Sequence, residues 1–176
     1  IASRKIEKSL KLPASGDKIF TSPDNNLIFI TQSFDATGIL WNITNDSYKI
    51  IKGHKGIITS AEFSRNSRRL VTSSYDQTTK IWNTESGQNI LSLGDSSGMI
   101  RKAFYSDNER KIVTFSENNL GTVWNAADGS KLYTIYFREK SNNLILLPSG
   151  YYLCSPELAK TFHYVSRDLK IITLES

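Results

Sequence analysis

The sequence of 176 residues contains one cysteine, Cys154, which excludes an intrachain disulfide framework, and it has no Cys/His cluster at zinc-ligand spacing. No G-x-x-x-x-G-K phosphate loop is present, so neither a metal nor a cofactor is expected. No apolar run approaches the ~20 residues that a membrane-crossing helix needs, and no transmembrane segment is expected. No secretory signal or lipidation motif stands in the sequence, and a cytoplasmic location is the expectation. The first residue is Ile rather than Met, which suits a fragment or a processed product.

Charge of one sign is not concentrated anywhere. There are 22 Lys and Arg against 17 Asp and Glu, a net +5, and the basic residues are scattered as Lys5, Lys8 and Lys11, then Arg65, Arg68 and Arg69, then Arg101, Lys102, Arg110 and Lys111. A nucleic-acid surface needs such groups to converge with exposed aromatics between them, so nucleic-acid binding ranks last among the functional readings.

What is present is a series of short runs rich in β-branched and aromatic residues, separated by polar turn residues, with no helical period. They fall at 18–21, 27–31, 37–41 and 47–52, then at 57–63, 70–74, 79–82 and 88–93, then at 99–104, 111–115, 121–124 and 131–137. A weaker set follows at 143–147, 151–155, 161–165 and 169–174. The three tryptophans, Trp41, Trp82 and Trp124, stand 41 and 42 residues apart, each followed by Asn and preceded by Leu40, Ile81 or Val123. Ser33 to Asn42 lies without gaps over Ser74 to Asn83. A period of this length marks a propeller or solenoid array.

With Gly53-His54 opening the best-formed unit and Trp82-Asn83 closing it, the sequence resembles the WD-repeat family of β-propellers, with Asn for the usual Asp. The resemblance implies an all-β fold of four-stranded antiparallel blades. About four blades are expected here, at 14–52, 53–94, 95–138 and a degenerate 139–176, with 1–13 as the outer strand of a preceding or closing blade. It implies that Trp82, Thr72, His54 and Asp76 form a buried hydrogen-bond chain inside one blade, with Thr31, Asp35 and Trp41, then Thr114, Asn118 and Trp124, as incomplete versions. His54 is therefore a structural group rather than a catalytic or metal-binding one. Cys154 and His163 could be paired as nucleophile and base, but Cys154 lies between Leu153 and Ser155 in a β-prone run, the setting of a packed core thiol.

In the resembling family, partners bind the rim near the channel. The matching positions are Phe34 in the first unit, Ile57, Thr59 and Tyr75 in the second, and Ile100 and Glu117 in the third. The expected function is a non-catalytic scaffold for other proteins or peptides. The segment from Leu147 to Pro156, followed by Lys160 to Tyr164, resembles a closing segment of bacterial WD-repeat proteins, some of which carry a caspase-like domain, so a sensor propeller of a larger bacterial effector enzyme is the alternative. Four blades are the low end for a closed ring. Further blades of a longer chain are favoured over a four-bladed ring, a second copy, or a complex subunit covering the ends.

Overall fold

The computed structural model describes residues 16–94, 98–106, 108–137, 143–149, 152–154, 164–165 and 171–172. Their secondary structure is strand and turn, with no helix among the described residues. The first sheet is β1 (Ile19–Thr21), β2 (Leu27–Gln32), β3 (Thr37–Asn42) and β4 (Ser47–Ile51) in that spatial order. The second repeats it with β5 (Ile58–Phe63), β6 (Arg69–Ser74), β7 (Thr79–Asn83) and β8 (Asn89–Leu93). The third begins in the same way with β9 (Ile100–Tyr105), β10 (Lys111–Ser116), β11 (Leu120–Asn125) and β12 (Lys131–Phe137). All neighbours are antiparallel, as short connections require.

The alternation of side chains along each strand builds the cores between sheets. In β6, Leu70 points to the first sheet with Trp82 and meets Phe29, Leu40 and Ile51. Its neighbour Val71 points the other way with Ile81 and Leu93, against Ala103, Tyr105, Ile112 and Trp124 of the third sheet. The second sheet is thus buried on both faces. The inner strands β5 and β9 are also tied by hydrogen bonds, Thr59 Oγ1 to the Ile100 carbonyl at 2.6 Å and the Ala103 amide to Ser60 Oγ at 3.1 Å. Gly38 belongs to this packing, because a Cβ there would lie 2.2 Å from the Phe29 ring, which covers the glycine.

Beyond Phe137 the pattern changes. β13 (Asn143–Leu146) pairs with β12 and β14 (Tyr152–Cys154) pairs with β13, so the third sheet has six strands among the described residues. The outer edge of β12 would otherwise leave backbone groups unpaired, and β13 satisfies them. β15 (Tyr164–Val165) and β16 (Ile171–Ile172) pair with each other. The outer strand expected at 1–13 lies outside the described residues. No helix among the described residues is long and apolar enough to cross a membrane.

Trp82 is 2% exposed at the centre of the first inter-sheet core. Trp82→Ala should lower the unfolding free energy by about 3–5 kcal/mol in denaturant titration, and a loss below about 1 kcal/mol would show that the indole is not the packed centre.

Candidate functional site

The second sheet carries a continuous hydrogen-bond chain. Trp82 Nε1 donates to Thr72 Oγ1 at 2.8 Å, Thr72 Oγ1 lies 2.8 Å from His54 Nε2, and His54 Nδ1 lies 2.9 Å from Asp76 Oδ2. Chemistry fixes its direction. Burial pushes the His54 pKa below its ordinary 6.5, against the raising effect of Asp76, so the ring is neutral and carries one N–H. For Asp76 burial works upward, yet hydrogen bonds from Thr78, the Lys55 amide and His54 outweigh it and bring the carboxyl to about 2. The ionised carboxylate accepts a hydrogen bond from His54 Nδ1–H, which leaves Nε2 as the acceptor for the Thr72 hydroxyl. The Asp76 turn is tied further by the Thr78 hydroxyl at 2.6 Å, the Lys55 amide at 2.8 Å, and the Tyr75 amide on the Ile57 carbonyl at 3.0 Å.

The other sheets solve the same problem with different groups. In the third, Trp124 Nε1 donates to Thr114 Oγ1 at 3.0 Å, and with no His present that hydroxyl donates to the Thr122 carbonyl at 3.2 Å. In the first, Thr31 does not serve Trp41. β2 pairs Ile28 with Trp41 and Thr31 with Gly38, whereas β6 pairs Leu70 with Trp82 and Thr72 with Lys80. β2 is therefore one residue out of step with the gapless sequence match, which turns Thr31 to the opposite face and puts Ile30 in the place of Thr72. Trp41 Nε1 instead donates to Asp46 Oδ1 at 3.0 Å. Asp46 has φ 55°, at the turn position that Gly87 and Gly129 occupy with φ 75° and 76°. An Asx residue tolerates that left-handed backbone and brings an acceptor with it.

The candidate rim residues separate into two groups. Phe34 is 94% exposed, Tyr75 48% and Ile57 39%. Phe34 and Tyr75 stand on the β2–β3 and β6–β7 turns, and Glu117 occupies the matching β10–β11 turn with its amide on the Met99 carbonyl at 3.0 Å. Ile57 immediately precedes β5 at this end, and its carbonyl receives the Tyr75 amide. Ile100 is buried, and the Thr59 hydroxyl is bound to its carbonyl, so these two belong to the contact between sheets. Cys154 ends β14, and His163 lies outside the described residues. Among the described residues no group of three or more His, Cys, Asp or Glu is placed to hold a metal.

Against this geometry, residues 45–83 match the WD domain, G-beta repeat family. The matched stretch, which runs from the β3–β4 turn to the end of β7, is similar to a WD40 repeat. The chain is 33% identical over 79 residues to the serine-threonine kinase receptor-associated protein of Dictyostelium discoideum, covering 44% of this chain and 27% of that protein. It is 28% identical over 74 residues to the small ribosomal subunit protein RACK1 of Schizosaccharomyces pombe, covering 39% of this chain and 24% of that protein. A probable E3 ubiquitin ligase complex SCF subunit, sconB of Penicillium rubens, is 36% identical over 58 residues, covering 33% of this chain and 8% of that protein. The chain thus spans well under a third of the length of these WD40-repeat relatives.

Two turn devices went unread in the sequence. Ser22, Ser64 and Ser106 each donate a hydroxyl to the Asx two residues on, Asp24, Asn66 and Asn108, at 2.6, 2.8 and 3.0 Å. They recur every 42 residues, so the same self-comparison that aligned the tryptophans could have found them. The Asn after each Trp uses its side-chain oxygen to accept turn amides, Thr44 at 2.9 Å, Ser86 at 2.8 Å and Ala127 at 3.0 Å. An amide oxygen accepts there as a carboxylate would, which is why Asn can replace Asp.

Both titrating groups of the hydrogen-bond chain act in one direction. The folded pKa of His54 lies below 6.5, so its contribution to stability is complete above that pH and is lost as pH falls. That of Asp76 is complete above 3.8 and is lost as pH falls through about 2. The melting temperature should therefore begin to fall below pH 6.5 through His54, before Asp76 contributes below pH 3.8. His54→Asn should melt lower at neutral pH and show a reduced slope in that window; an unchanged slope would remove His54 as its cause.

Proposed function

We propose that this chain is a non-catalytic scaffold segment that binds partner proteins or peptides through the rim formed by Phe34, Tyr75, Ile57 and Glu117. The observation that carries the reading is the exposure of Phe34, 94%, and Tyr75, 48%, on equivalent turns of adjacent sheets. Large aromatics left in water on hydrogen-bonded turns lose little entropy on binding and are common binding anchors. The WD40 relatives are consistent with it, since their names describe a receptor-associated protein, a ribosomal subunit protein and a subunit of a ligase complex.

We also read the chain as part of a larger propeller, with blades divided near 14–52, 53–94 and 95–138. Ile19 supports this. It stands in β1 where β5 and β9 carry Ala61 and Ala103, which are 7% and 2% exposed against the preceding sheet, yet Ile19 is 68% exposed. An apolar side chain left open at that position fits a sheet awaiting a neighbour on its inner edge.

The test is affinity capture with the chain as bait, followed by titration of the captured protein against wild type and the Phe34→Ala, Tyr75→Ala double variant. The double variant should lose about 2 kcal/mol or more of binding while melting as wild type does. Equal binding by both would remove the rim as the docking surface.

A further inference from the structure

The outer edges of the three sheets, formed by β4, β8 and β12, lie apart from the rim and are finished in three different ways. Ile50 in β4, Ser92 in β8 and Thr134 in β12 each pair with the residue two before the tryptophan, Ile39, Lys80 and Thr122, so they occupy one place in the repeat. At β12 that place is covered by an added strand. β13 pairs along the edge with Leu146 opposite Thr134, and Thr134 is only 8% exposed. At β8 the edge is closed by its own polar groups. Asn89 Nδ2 donates to the Leu91 and Ile81 carbonyls at 2.9 and 3.2 Å, Lys80 Nζ donates to Ser92 Oγ at 2.8 Å, and Ser92 Oγ donates to Asn89 Oδ1 at 3.1 Å.

β4 has neither device. It ends its sheet, and no described strand pairs with its outer edge. Ser47, in the place of Asn89, spends its hydroxyl on Asn45 Oδ1 in the turn at 2.7 Å, and Ile50 and Tyr48 stand 44% and 48% exposed. The first sheet covers the Trp82 face of the second, yet Ser92 remains exposed, so exposure at this place belongs to the outer edge and not to a missing neighbouring sheet. Between Tyr48 and Ile50, Lys49 turns to the other face with its stem against Gly87, where a Cβ would come within 3.3 Å of Lys49 Cδ. Lys49 is in no ion pair among the described residues. The charged groups that share its cleft are Asp24, Arg68 and Glu85, and Asp24 is already bound by the Ser22 hydroxyl and the Asn26 amide.

We propose that β4 takes an added strand from a partner protein, an extended segment with an acidic residue opposite Lys49 and apolar residues opposite Tyr48 and Ile50. In such pairing the edge supplies main-chain donors and acceptors, and alternate side chains supply specificity. β12 shows that this edge of the repeat accepts a strand. A second copy of the chain is a poor occupant, because the antiparallel pairing that sets Tyr48 against Ile50 also sets Lys49 against Lys49, and like charges directly opposite are destabilising. An edge lysine guards against such self-pairing. An acidic residue from a partner turns the same lysine into an attraction.

The probe is the peptide N-acetyl-Ser-Val-Glu-Val-Ser-amide, titrated into the full nitrogen-15-labelled chain and followed by NMR. The controls carry Lys in place of Glu, or an N-methyl on every backbone amide. The Glu peptide should bind at millimolar concentration and shift the amide signals of Tyr48 to Ile51. The Lys peptide should bind roughly tenfold more weakly, and the N-methylated peptide should not bind. Lys49→Glu should reverse the preference between the two charges, and Ile50→Ser, which copies Ser92 of β8, should weaken binding about threefold. Both side chains are exposed, so both variants should melt like wild type; if Lys49→Glu does not, Lys49→Gln serves in its place and should abolish the discrimination. Absence of binding, shifts confined to other edges, binding of the N-methylated peptide, equal binding of both charges, or a dimer joined through β4 would each overturn the proposal.

Discussion

The indole N–H of Trp82 cannot enter the core without an acceptor, and the second sheet is organised around supplying one. Thr72 provides it, His54 Nε2 accepts the hydrogen bond of the Thr72 hydroxyl in turn, and Asp76 holds the His54 ring from the far side. The chain therefore runs from the centre of an apolar interface to a turn at the edge of the sheet. Along the way it ties β6 and β7 to the loop that precedes β5. Each buried polar group in it has a partner, which is the condition under which such a network adds rigidity rather than cost. Because this sheet is packed on both faces, its order is passed to the first and third sheets through Leu70 on one side and Val71 on the other.

The neighbouring sheets show that the constraint is the indole and not the histidine. Trp124 is satisfied through Thr114 and a backbone carbonyl, and Trp41 through a turn aspartate. What differs is how far the network reaches. The second sheet links its core to the turn that presents Tyr75, whereas the first leaves the Phe34 turn to be fixed by Asp17 on the Ser33 amide and Asp35 on Thr37. The proposed rim therefore rests on turns of different construction at a common end of the molecule.

Most of the fold was legible in the sequence, because strand identity here follows from runs of β-branched and aromatic residues and order follows from the spacing of three tryptophans. His54, Thr72, Asp76 and Trp82 could be named by position in the best-formed unit. Thr31 could not be placed. Leu27 to Ile30 are four consecutive apolar residues, which allow β2 to slide by one position without exposing a polar side chain to the core, and only the pairing with β3 reveals the slip. Ile100 is buried and the half-buried Thr59 is bound to its carbonyl where β5 meets β9, a relation between sheets that no single repeat contains. The contact of Glu62 with the Tyr105 amide was equally hidden, since the two residues are 43 positions apart and meet only when β5 packs beside β9.

The central claim is the direction of the proton order, from Trp82 through Thr72 and His54 to an ionised Asp76. Nitrogen-15 NMR of the His54 ring tests it most directly. The ring should be neutral at pH 7, protonated at Nδ1 and bare at Nε2, and should take up its second proton only below pH 6.5. A ring protonated at Nε2, or one that takes up its second proton at or above pH 6.5, would contradict it.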